Sequence, residues 1–117
     1  MSIKIDGSHI TIDKGDTGVI RFIFTHKKQN VELGSRTFRL IIKKHKEDSD
    51  GSAIYDTSKI PANLDDNFIL FPVDSATTDN EAGSYFWGLR VLAENYTNTI
   101  KEGIFTIEQG TYKGANV

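Results

Sequence analysis

Asp79-Asn80-Glu81-Ala82-Gly83-Ser84-Tyr85-Phe86-Trp87, followed on through Gly88-Leu89-Arg90-Val91-Leu92, is the stretch on which the fold turns. From Gly83 onward every second residue is large and apolar. Tyr85, Trp87, Leu89 and Val91 fall on one face of an extended chain, because successive side chains of a strand point to opposite sides. Tyr85 enters this strand directly after a run of turn-forming residues and two positions ahead of Trp87. A buried tyrosine needs a partner for its hydroxyl, and a corner at a strand entrance offers an upstream carbonyl within reach. The segment reads as a tyrosine corner that pins the register of its strand; the other reading is a half-buried strand aromatic.

The same period of two recurs along the chain. Residues 19–25 place Ile20, Phe22 and Phe24 on one face and Val19, Arg21 and Ile23 on the other; residues 37–43 set Phe38, Leu40 and Ile42 against Arg39, Ile41 and Lys43. Residues 67–73 form a further strand, with Pro72 marking an edge or a terminus because proline lacks the ladder donor. Residues 99–108 supply the last strand, with Phe105 and Ile107 inward and Gly103 predicting a bulge. Residues 3–5 and 9–12 make a first strand with a kink or tight turn at Asp6-Gly7-Ser8, and residues 53–56 a short one closed by Ile60-Pro61. Residues 29–35 and the polar run 44–52 read as loops, Asn95-Tyr96-Thr97 as a turn, and residues 74–81 as one helical turn crossing between sheets. No window of a dozen residues shows the i, i+3, i+4, i+7 spacing of an amphipathic helix.

About seven short strands with turn residues between them indicate a two-sheet sandwich or a small barrel, and the corner favours the sandwich. The expected fold is all-β, an immunoglobulin-like two-sheet antiparallel β-sandwich over residues 1–109, with a flexible tail at 110–117. Its core is expected to include Phe22, Leu40, Tyr85, Trp87 and Phe105. A chain of 117 residues encloses one such core. It has no cysteine, so packing must replace the bridge that staples many sandwiches.

A formal charge of −2 gives no general attraction to phosphate backbones, so nucleic acid is not an expected partner. No apolar run is long enough for membrane insertion, and the first residues lack the apolar core of a secretion signal, so the expectation is a protein made in the bacterial cytoplasm and kept or assembled there.

The chain offers little chemistry. His9, His26 and His45 lie in different segments without the spacing of a metal set or a triad. Glu47-Asp48-Ser49-Asp50-Gly51 is acidic next to glycine, yet a calcium loop on that frame would have Lys46 first and Thr57 twelfth, where a bidentate carboxylate is required. Lys43-Lys44-His45-Lys46 is basic, but acids follow at once and no aromatic interleaves it. Lys14-Gly15-Asp16-Thr17-Gly18 lacks phosphate-loop spacing. No nucleophile, base and orienting group can be named together, so no catalytic residue, cofactor or metal is expected and an enzyme is not.

Ile23, Ile41 and Phe86 point away from the expected core, and with Tyr96 they form the candidate interaction surface. On one sheet they would expose more apolar area than a monomer normally tolerates, so association into a homo-oligomer is expected. An alternative is a carbohydrate-binding β-sandwich in which Phe86 and Tyr96 contact cell-surface glycans.

The order of these signals resembles the N-terminal immunoglobulin-like domain of upper baseplate and related tail proteins from phages of Gram-positive bacteria. The resemblance is carried by Ile12-Asp13-Lys14-Gly15-Asp16-Thr17 leading into the Ile20/Phe22/Phe24 strand, Phe38-Arg39-Leu40-Ile41-Ile42-Lys43, and Phe68-Ile69-Leu70-Phe71-Pro72-Val73-Asp74-Ser75-Ala76-Thr77. Ala82-Gly83-Ser84-Tyr85-Phe86-Trp87 and Thr99-Ile100-Lys101-Glu102-Gly103-Ile104-Phe105-Thr106-Ile107 complete it. It implies a non-enzymatic structural module of the virion tail or baseplate that packs against other tail proteins. In that family a long helix or receptor-binding head follows the domain, whereas this chain is expected to stop just after it.

Overall fold

The computed structural model describes residues 3–26, 29–30, 33–93 and 96–110. In chain order the elements are β1 (Lys4–Asp6), β2 (His9–Asp13), β3 (Gly18–Ile23), β4 (Thr25–His26), β5 (Gln29–Asn30), β6 (Thr37–Lys43) and a 3-10 turn (Asp50–Ser52). They continue with β7 (Tyr55–Lys59), β8 (Phe68–Val73), α1 (Ser75–Thr78), β9 (Gly83–Ala93) and β10 (Tyr96–Glu108). Six strands form one sheet in the order β1-β2-β10-β9-β6-β7; β3 pairs with β8, and β4 with β5.

The architecture is that of an all-β sandwich whose core is drawn from both main sheets. On β6 burial alternates strictly, with Phe38, Leu40 and Ile42 inward. Tyr85, Trp87, Leu89 and Val91 of β9 and Phe105 and Ile107 of β10 share that side, and Ile20 and Phe22 of β3 meet them from the other sheet with Ile69, Phe71 and Val73 of β8. Burying each such side chain contributes roughly 1.5–3 kcal/mol, which is what holds two sheets together without a disulfide. The Phe22 ring joins the layers, 5.4 Å from the Trp87 ring and 6.0 Å edge-on from Phe71. All five expected core residues are buried.

The corner is formed as the sequence indicates. Tyr85 is buried and its hydroxyl donates to the Glu81 carbonyl at 2.6 Å. The helical turn ahead of it is also present: the Asp74 carboxylate accepts from the Thr77 backbone N–H at 3.0 Å and caps α1. Thr78, fully buried, donates its hydroxyl to the Asp16 carbonyl at 2.6 Å and so ties α1 to the turn between β2 and β3.

Several boundaries differ from the sequence expectation. Among the described residues ten strand segments appear against the expected seven or so, because the kink or tight turn at Asp6-Gly7-Ser8 is a tight turn that separates β1 from β2, and two residues on each side of positions 27–28 pair as β4 and β5. Gly7, at φ 62, makes the two-residue turn between β1 and β2, a conformation that a side chain at that position would resist. The pairing is not wholly antiparallel: β2 runs parallel to β10, from His9 beside Ile104 to Asp13 beside Glu108. Parallel neighbours need a long crossover, here nearly the whole chain, which a local pattern cannot register. The short strand after the polar run is Tyr55–Lys59, later than residues 53–56, because its register is set by pairing with β6.

Loop residue Leu33 is buried, an inward anchor that no alternation marks. Tyr96 and Thr97 belong to β10 rather than to a turn. The irregularity in β10 falls between Thr99 and Lys101, leaving Gly103 in regular register opposite Trp87. Gly103 is glycine for a different reason: a Cβ there would overlap the Ser8 carbonyl oxygen and lie 2.6 Å from Trp87 Nε1. Trp87 Nε1 donates to that same carbonyl at 2.9 Å. Residues 111–117, most of the expected tail, lie outside the described residues.

Candidate interaction surfaces

Outward positions of β3 and β8 are fixed by their register. Val19 faces Pro72, Arg21 faces Leu70, and Ile23 faces Phe68. Five of the six are apolar, and Val19, Ile23 and Leu70 are 48%, 52% and 44% exposed. The sixth, Arg21, lays its guanidinium 4.5 Å over the Phe68 ring, so its charge sits on the patch and its stem covers it. This sheet has only two strands, and each therefore keeps one edge outside any ladder among the described residues. Pro72 blunts its own edge by lacking an N–H, while its carbonyl accepts the Tyr55 hydroxyl at 2.9 Å, closing that side of the sandwich from β7. The opposite side is open: a cleft of about 480 Å³ lies between β3 and the β1–β2 turn, lined by Ile5, Ile10, Phe22, Ile23 and Trp87 among others.

The outer face of the six-stranded sheet sets charged side chains around the apolar Ile41, Phe86 and Ile104. Arg39 on β6 makes a bidentate pair with Asp56 on β7, at 2.7 and 2.6 Å, and approaches Asp50 at 3.5 Å. Lys43 reaches Asp50 at 2.8 Å and the Asp48 carbonyl at 2.8 Å. The hydrogen bond from Lys43, and then its charge, hold the Asp50 carboxyl below the usual carboxylate value. Bonding to Asp56 raises the Arg39 guanidinium despite the opposing effect of its partial burial. Lys44 and Lys46 lie over the Tyr85 and Phe86 rings, at 4.8 and 5.5 Å. The basic segment thus meets aromatics from another strand, which its own sequence did not show. A hollow of about 190 Å³ opens in this face above Gly88, bordered by Ile41, Phe86, Arg90, Thr99 and Glu102.

The structure separates the residues proposed as one patch. Ile41 and Phe86, half-buried, lie on the outer face of the six-stranded sheet at the hollow, whereas Ile23 lies on the outside of the other sheet. Alternation assigns a side to each residue but not a sheet to each strand, hence the merger. The Tyr96 side chain lies outside the described residues. Val19, Phe68, Leu70 and Pro72 were missed, although the signal was present. Phe68-Ile69-Leu70-Phe71-Pro72-Val73 contains no polar residue at all, the mark of a strand covered on both faces.

Among the described residues no three of His, Asp and Glu converge as metal ligands, and no helix is long and apolar enough to cross a membrane. The His9 ring bonds the Thr106 hydroxyl at 2.8 Å. Comparison with family models, curated proteins and solved structures finds no match.

Proposed function

We propose that this chain is a non-enzymatic immunoglobulin-like packing module of a phage or prophage tail or baseplate, working in the virion by contact with neighbouring subunits or further copies of itself. The observation that carries this reading is the outer face of β3–β8, where Val19, Ile23, Leu70 and Pro72 lie exposed beside a half-buried Phe68 on a two-stranded sheet. A patch of that kind is the ordinary mark of a protein contact site. The order of strands supports the immunoglobulin-like topology: β3 with β8 in one layer, β6-β9-β10 in the other, β2 parallel to β10, and a tyrosine corner at the entrance to β9. The tail assignment rests on the resemblance of the strand sequence.

Sedimentation or light scattering tests the packing role. The chain is expected to form oligomers or to bind an adjacent tail subunit, and the double variant Ile23→Lys/Leu70→Lys is expected to abolish both. A strict monomer at high concentration that binds no tail protein overturns the reading. Gene neighbourhood tests the tail assignment separately, since neighbours unrelated to tails would remove it.

A further inference from the structure

Gly88 is a glycine without a local reason to be one. It sits midway along β9 between two paired strands, where glycine weakens a sheet. Its φ is outside the left-handed region, and a Cβ built on it would meet nothing within 4 Å. Gly103 is required by close packing; Gly88 only leaves a space. Such a gap in a strand is where a ligand or another backbone approaches closely.

The register defines what surrounds the space. Ile41 and Glu102 flank Gly88 across the strands, and Phe86 and Arg90 precede and follow it on the same face of β9. At about 190 Å³ the hollow has room for roughly six waters at about 30 Å³ each, close to the bulk of one sugar ring. Its lining joins an apolar part, Ile41, Gly88 and the Phe86 ring with Lys46 over it, to charged groups of both signs, Arg39, Lys43, Asp50, Arg90 and Glu102, suited to the C–H face and the hydroxyl edge of a pyranose respectively.

The charges select further. Arg90 stands directly opposite Arg39, a like-charge pair that costs stability across strands. Arg39 is already held by Asp56, and Asp50 is shared between Arg39 and Lys43. Among the described residues Arg90 makes no close ion pair; its charge only adds, after those of Lys43 and Arg39, to the field on Asp50. We propose that the hollow above Gly88 binds one pyranose unit of an acidic saccharide, with the ring on Ile41 and Gly88 beside the Lys46-capped Phe86, the acid group on Arg90, and hydroxyls on Glu102 and Thr99. This site lies on the sheet opposite the proposed packing face, so the two stand or fall separately.

The test is an amide-resonance titration with methyl glucuronide, methyl glucoside and acetate. Saturable shifts at Gly88, Arg90 and Thr99 are expected with the glucuronide, weaker ones with the glucoside, and none with acetate. Arg90→Ala is expected to weaken glucuronide binding about ten- to hundredfold, the loss of one charge-assisted contact. Gly88→Ala, and more fully Gly88→Val, is expected to abolish binding without lowering the melting temperature. Equal shifts with acetate would reduce the hollow to an anion spot and overturn the proposal. So would unaltered binding by the Gly88 variants, no response to either sugar, or loss of self-association on filling the hollow.

Discussion

On the six-stranded sheet the outward positions carry Arg39, Lys43, Arg90 and Glu102, and the first two are neutralised by Asp50 and Asp56. On β3–β8 the equivalent positions carry Val19, Ile23, Phe68, Leu70 and Pro72 around a single arginine. Both sheets contribute inner faces to the same core, so the contrast has nothing to do with making the fold. It concerns what lies outside: one face sets paired charges around a small apolar group, Ile41, Phe86 and Ile104, and the other is apolar at all but one outward position.

The largest expected effect comes from the joint that both sheets share. Trp87→Ala removes the ring against Phe22 and should destabilise by about 3–5 kcal/mol in urea unfolding, the usual range for a large core aromatic. Because β3–β8 is joined to the rest mainly through such contacts, its amide protons should lose protection before those of β9 and β10. Uniform loss would mean that the two layers form one cooperative unit. Gly103→Ala acts only within the six-stranded sheet, forcing a methyl into the Ser8 carbonyl; about 1–3 kcal/mol is expected, the cost of overpacking.

Tyr55 and Tyr85 separate the two regions more finely. Tyr55 bonds across to β8, Tyr85 within its own corner, and each hydroxyl-to-hydrogen change should cost about 1 kcal/mol. Burial raises both phenols above their ordinary value near 10. The unfolded chain therefore releases these protons first, so stability is complete below about pH 10 and falls as pH climbs through that value towards the folded-state pKa. Urea midpoints measured up to pH 11 should show this decline, and Tyr55→Phe and Tyr85→Phe should each flatten it. A decline unchanged in both variants would mean that other groups cause it. The smallest effect on stability is expected from Ile23→Lys/Leu70→Lys, within about 0.5 kcal/mol for surface positions, with association lost. A large drop in melting temperature would show that these side chains support the monomer itself.

Much of this was legible in the residues. Alternation in 37–43 and 83–92 identified β6, β9 and their inward faces, and Tyr85 announced its corner, because these signals are local. The parallel pairing of β2 with β10 was not legible, since nothing near His9 encodes a neighbour almost a hundred residues away. The same limit merged Ile23 with Ile41 and Phe86. The role of Gly103 was misjudged because a glycine that yields to a tryptophan and one that makes a bulge look alike in sequence. Buried Leu33 and the space over Gly88 exist only once strands are assembled.

The bond from the indole of Trp87 to the Ser8 carbonyl gives this molecule a built-in gauge. The chain has one tryptophan, and that ring rests where the first hairpin turns. If the hairpin lifts while the remaining strands stay paired, the indole exchanges a carbonyl for solvent and its emission moves to the red before circular dichroism changes. Fluorescence thus follows the seating of a single turn, and a strand inserted beside β3 by a binding partner would register in the same colour shift.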